Sequence, residues 1–349
     1  MESRQGVIPW ARALLPFGIA LAALALFGAA FVTAGLAGWG TPAANEQAIG
    51  EVSRWCERVA PGLLREPVNT LANLGFVAVG LTIFGILARD ERLGRRTVVS
   101  PEGSRTVGRF VGNTPTALLY AAAATFLGPG SMLMHGSHLR LGAWLDNASM
   151  VAYVLVPWLV NVVTLASWRD RRLFGTYVVL LAAYAAGYWF IGPDLGIGLD
   201  LFELSIALWI ISEVLFRWWA PGPRSAALRA GSGLVGLALA GAFGLLPKIV
   251  ADPAHYWWVA LFWLPALLVR RPAGERRRYT PWFFLGFGAF FAAYAIWTTG
   301  TASNPLCAPD SPLQAHAIWH LLDAAAAGCF FVFLRTGRST EPRPRPASG

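Results

Sequence analysis

The chain predicts an all-α fold, a polytopic membrane helix bundle of about ten spans, on three observations. Of its 349 residues 56% are apolar and 13% charged, against about 25% charged in soluble proteins. Mean hydropathy is +0.51. Apolar runs near the length of about 20 residues that a bilayer core requires recur along the chain with short loops between them. Finally, Lys and Arg divide unequally between alternate loops, as they do in membrane proteins that obey the positive-inside rule.

The first run, about 12–36, follows Arg4 and Arg12 as a signal peptide would. It is longer than the usual apolar region of about 7–15 residues, so it is expected to stay as an N-terminal extra transmembrane helix within residues 1–40. The next spans are expected at about 67–88, 114–136, 146–167, 173–192, 198–216, 230–247, 255–269, 280–299 and 313–334. The eighth is short and contains Pro265. Together 41–335 read as one membrane domain, with no internal repeat. Residues 336–349, rich in Pro, Arg and Ser, read as a disordered cytoplasmic tail.

With the N-terminus inside, 23 of the 28 basic residues fall in inner segments and 5 in outer ones: Arg54, Arg58, Arg65, Arg140 and Lys248. The net charge of +9 is therefore topogenic, and nucleic acid is not an expected partner. Both termini are expected in the cytoplasm of a multi-pass protein, in a bacterial inner membrane.

The same count puts the ionisable groups that invite chemistry near one leaflet. His135 ends the third span; Asp146 is expected to begin the fourth; His316 and His320 lie in the first turns of the tenth; Glu57 and Glu66 precede the second. All are outer. Ionisable residues at membrane depth are costly and mark function. Positions i and i+4 share a helix face, so His316 and His320 can hold one ion. Three imidazoles are also a ligand set of catalytic zinc. An HxxxH pair is equally a packing pair, and His138, three residues from His135, is a rival ligand. His255 is outer as well.

Ser131 shares a face with His135 and is either a small packing residue or a hydroxyl for a substrate; Gly128, Pro129 and Gly130 before it can loosen the helix. Asp146 is either solvated or a general base. Asp323, on the His316–His320 stripe, either orients an imidazole or partners another helix. Glu203 and Glu213 lie within a span without an assigned role.

Four blocks carry a resemblance. They are Trp55-Cys56-Glu57 with Glu66-Pro67-Val68-Asn69-Thr70; Gly130-Ser131 through His135; Leu145-Asp146; and His316 through His320. In this order and spacing the chain resembles the alkaline ceramidase family, within a superfamily that includes adiponectin-type receptors and lipid-remodelling hydrolases. The resemblance runs over roughly 55–335.

It implies a seven-span hydrolase core, here with about three extra spans, so that 41–335 would be a membrane hydrolase domain. It implies a zinc site on His135, His316 and His320, with Ser131 as oxyanion helper and Asp146 as proton shuttle. The implied reaction is hydrolysis of the amide of N-acyl sphingoid lipids, with a membrane lipid as substrate and the active site near the outer leaflet. Eukaryotic members also hold calcium near the first family span. Arg54 stands here for an acidic residue of that site and Val59 for its Asn, and the Glu57 to Glu66 spacing is shorter. These departures count against calcium, for which Glu57 and Glu66 remain the candidate ligands. Asn147 replaces an acidic residue after Asp146, which bears on substrate choice.

Three other readings stay open: a hydrolase of another lipid ester or amide, a receptor-like lipid-binding protein, and a transporter using Asp323, Glu203 and Glu213. Cys56 and Cys307 both fall in outer loops, where disulfides are permitted, and are expected to pair. Cys329 lies within the tenth span.

Overall fold

The structure, a computed structural model, describes residues 9–95, 97–99, 105–196, 201–218, 223–242, 251–254, 256–257 and 275–340. Its helices are α1 (Trp10–Leu36), α2 (Pro67–Ala72), α3 (Leu74–Arg92), α4 (Pro115–Ser137), α5 (Arg140–Leu165), α6 (Asp170–Phe190), α7 (Leu201–Trp218), α8 (Pro223–Ala242), α9 (Trp282–Trp297) and α10 (Ala315–Arg335). Six spans among the described residues are long and apolar enough to cross a membrane: α1, the continuous stretch Pro67–Arg92, α4, α5, α6 and α10. The all-α class holds. Among the described residues, each expected span other than the eighth carries a helix. The eighth, with His255 and Lys248 nearby, lies almost wholly outside the described residues.

Two boundaries differ from expectation. Helix α5 begins at Arg140 rather than 146, because Arg140 and Gly142 dilute the apolar signal of its first turns without interrupting the helix. Asp146 is therefore inside a helix and does not open it. The tail expected to be disordered from 336 instead contributes a strand. Four short strands, β1 (Thr97–Val99), β2 (Arg105–Val107), β3 (Glu275–Arg276) and β4 (Arg338–Thr340), form one antiparallel sheet in the order β1-β2-β4-β3. Residues 341–349 lie outside the described residues.

The chain divides into two compact units, Met1–Ser149 with Glu275–Gly349, and Met150–Gly274. In the first, α3, α4 and α10 run between the sheet at one end and the disulfide Cys56–Cys307 at the other. The Cα atoms of that pair are 5.5 Å apart, within the usual range of about 4.4–6.8 Å. Arg58 pairs with Asp310 beside it, Nε to Oδ1 at 2.6 Å. The basic-residue count puts the loops at the sheet end on one side and those at the disulfide end on the other. Tyr120 Oη donates to Ala327 O at 2.7 Å and fastens α4 to α10. Cys307→Ser is expected to destabilise the protein by about 2–5 kcal/mol, read as a lower midpoint of thermal unfolding in detergent.

Helix α4 starts with Thr114 accepting from Ala117 N and Pro115 in the first turn, a favourable cap and first position. It runs unbroken through Pro129, so Gly128 and Gly130 serve close approach and not a break. A Cβ on Gly128 would stand 2.6 Å from Val77 Cγ2, and one on Gly130 2.6 Å from Ser149 Oγ and 2.9 Å from Leu145 O. Gly130→Ala must push α4 and α5 apart beside Asp146. Overpacking of this kind costs about 1–3 kcal/mol, and the expected result is a lower unfolding midpoint together with reduced activity.

In the second unit Asn161 Nδ2 donates to Ser212 Oγ at 3.0 Å and Glu213 Oε2 at 2.7 Å. This gives Glu213 a buried partner across α5 and α7, of the kind that joins helices in membranes. Glu203 lies in the first turn of α7.

Candidate metal centre

The end of α4 leaves backbone carbonyls without helical partners. The loop entering α2 supplies them: Arg65 N donates to Gly136 O at 3.1 Å and Glu66 N to His135 O at 3.0 Å. This places the Glu66 side chain under the imidazole of His135, with Oε2 2.7 Å from Nδ1. The hydrogen bond makes Nδ1 the proton-bearing atom of a neutral ring and turns the Nε2 lone pair outward.

His316 and His320 present their Nε2 atoms to that lone pair, each 3.2 Å from His135 Nε2. The three residues form a cluster with one ligand atom each, all within 4.8 Å of one another. Tetrahedral zinc with Zn–N of about 2.0–2.1 Å requires nitrogens roughly 3.3 Å apart. The donor set and the two separations from His135 are therefore compatible with zinc. All three rings are buried. The His316 ring lies flat against Trp55, centroids 4.4 Å apart and planes 16° from parallel. The disulfide at the neighbouring Cys56 ties Trp55 to the loop leading into α10.

Ser131 Oγ is buried without a hydrogen bond of good geometry, within electrostatic reach of the Asp146 carboxylate, which is itself within reach of His135 and Arg54. One turn of α4 thus separates a hydroxyl from an imidazole, and α5 brings a carboxylate beside both. Asn147 Nδ2 donates to Ala143 O in its own helix at 2.9 Å.

The structure brings together Ser131, His135, Asp146, His316 and His320, and sets His138 apart. His138 Nε2 is 2.8 Å from Glu66 Oε1, not in the three-histidine cluster. The carboxylate on His135 is Glu66, whereas Asp323 Oδ1 is buried with no partner among the described residues. Burial pushes the Glu66 carboxyl upward, but His135 and His138 overcome it and hold the group well below the usual carboxylate range. Glu57 is shifted upward by burial, against hydrogen bonds from Asn69 N and Val68 N.

Trp55 has no role in the sequence beyond its block, and Glu66, a candidate calcium ligand by resemblance, instead bonds His135. The only linear signal for either was the proximity of both to Cys56 and to the second span.

Three buried imidazoles converge from α4 and α10 in a chain whose helices are long and apolar enough to cross a membrane, and together they could hold a metal ion. The chain belongs to the ceramidase family, whose model matches residues 52–348. Membership makes it a hydrolase acting on lipid amide bonds. Helix α1 lies outside the matched range. Among curated proteins none matches the chain.

Proposed function

We propose that the protein is a zinc-dependent intramembrane amidase that cleaves the N-acyl amide of a sphingoid-type lipid. The observation that carries this reading is the convergence of three imidazoles, with His316 Nε2 and His320 Nε2 each 3.2 Å from His135 Nε2 and one ligand atom of each residue within 4.8 Å of the others. Zinc held there would polarise a carbonyl and lower the pKa of a water to about 7. Glu66 keeps the proton of His135 on Nδ1 and so keeps Nε2 available.

Ser131 Oγ–H donates to the oxyanion that develops on the acyl carbonyl. Asp146 accepts a proton from the attacking water on its carboxylate and returns it to the leaving nitrogen, which an amide requires. The buried walls around the site, with Trp55 over His316, exclude bulk water. The lipid enters laterally and leaves its tails in the bilayer. The disulfide end is the outer end, in keeping both with the distribution of basic residues and with the redox preference of disulfides. On this reading the site lies near the outer leaflet and both termini lie in the cytoplasm.

The test is a panel of labelled lipids given to purified protein: N-acyl sphingoid amides, other N-acyl amines and ester analogues, each before and after zinc chelation and zinc restoration. Preferential cleavage of the sphingoid amide, lost on chelation and regained with zinc, is expected. Ester preference would reassign the substrate, and turnover indifferent to zinc would end the metal reading.

A further inference from the structure

The family resemblance offers Glu57 and Glu66 to calcium, an ion that takes about six to eight oxygen ligands. The residues present do not fit it. Both oxygens of Glu57 accept backbone N–H groups from the first turn of α2, Val68 N at 2.7 Å and Asn69 N at 2.8 Å. The carboxylate thereby satisfies amides that a helix start leaves open. Glu66 Oε2 is bonded by His135 Nδ1 at 2.7 Å and Asn69 Nδ2 at 2.8 Å, and Oε1 by His138 Nε2 at 2.8 Å. Arg54 turns its guanidinium to Glu46. Among these side chains the buried oxygens left without partners are Asn69 Oδ1 and Asn73 Oδ1, far short of a calcium shell.

His138 is built into its place. It ends α4 in the left-handed region, φ 54°, uncommon for residues other than glycine. Two backbone bonds hold it there: His138 N to Met134 O and Ala43 N to His138 O, both 2.9 Å. Its Nδ1 lies 3.9 Å from Glu46 Oε2. A chain Arg54–Glu46–His138–Glu66–His135, partly exposed at Arg54 and with buried side chains from Glu46 onward, therefore runs from the loop after α1 to one imidazole of the three-histidine cluster.

We propose that His138 takes the place of a bound cation here: it donates to Glu66, holds that carboxylate on His135, and makes the three-histidine site independent of calcium. His138 is a positioning residue, and the proposal rests on the three histidines being the zinc site.

The first arm is equilibrium dialysis of zinc-loaded protein against radioactive calcium. No saturable binding is expected up to about 1 mM, the weak end of protein calcium sites. The second arm measures zinc affinity of the stripped protein by competition with a chromophoric chelator. His138→Ala is expected to weaken zinc about tenfold, the lower end for loss of groups that orient a ligand. His138→Gln, whose amide can donate to Glu66, is expected to recover most of it; this variant carries the second arm should the alanine protein not fold. Saturable calcium uptake by wild-type protein, lost in Glu57→Gln, overturns the proposal. So does unchanged zinc affinity in His138→Ala when wild-type protein binds zinc normally. Wild-type protein that takes up no zinc overturns this proposal and the zinc reading together.

Discussion

Asp146→Asn lowers turnover of the lipid amide by about 10²–10⁴-fold, the usual worth of a positioned acid–base group, and leaves zinc content as in the unsubstituted protein. The substitution preserves shape, but an amide cannot take a proton from water or return one to nitrogen. Zinc content is expected to be unaffected because the proposed ligands come from α4 and α10, while Asp146 belongs to α5. Kinetics should show kcat and kcat/KM falling together, the signature of an interaction made in the transition state. Near-normal turnover would remove Asp146 from the mechanism. Loss of zinc would make it a ligand or a support of one.

His320→Ala removes one of three nitrogens and is expected to strip the protein of zinc and take turnover to background. Metal polarisation is worth several kcal/mol. About 4 kcal/mol corresponds to roughly 10³-fold in rate, so the loss should be at least of that order. Metal analysis on purified protein checks the first part and a lipid assay the second. Leu313→Ala, at a residue 77% exposed just before α10, serves as control and should change neither. A His320→Ala protein retaining both zinc and turnover would show that the cluster is a packing arrangement.

Much of this was legible because the informative signals are local. The i, i+4 spacing of His316 and His320 fixed a shared face, and the basic residues sorted His135, Glu66 and Cys56 to the same end as Cys307. The disulfide then followed from two loops on one side. What was not legible depends on contacts far apart in sequence. Glu66 and His135 meet across 69 residues because a loop docks its amides on the end of α4, and no periodicity encodes that docking. The sheet escaped because strands of two or three residues are too short to display alternation. The start of α5 escaped because hydropathy sees the apolar part of a helix and not its polar first turns.

The histidines that must meet are 181 and 185 residues apart in the chain, and the unit that holds them is interrupted by Met150–Gly274. Ribosomes add roughly 5–20 residues per second. His135 is therefore in the membrane for about 10–40 seconds before its partners are made. During that interval the three-histidine cluster is incomplete, and the proposed site does not yet exist. On the proposed mechanism, activity arrives only with α10, the last long apolar helix among the described residues, so a chain stalled before that point would be inactive.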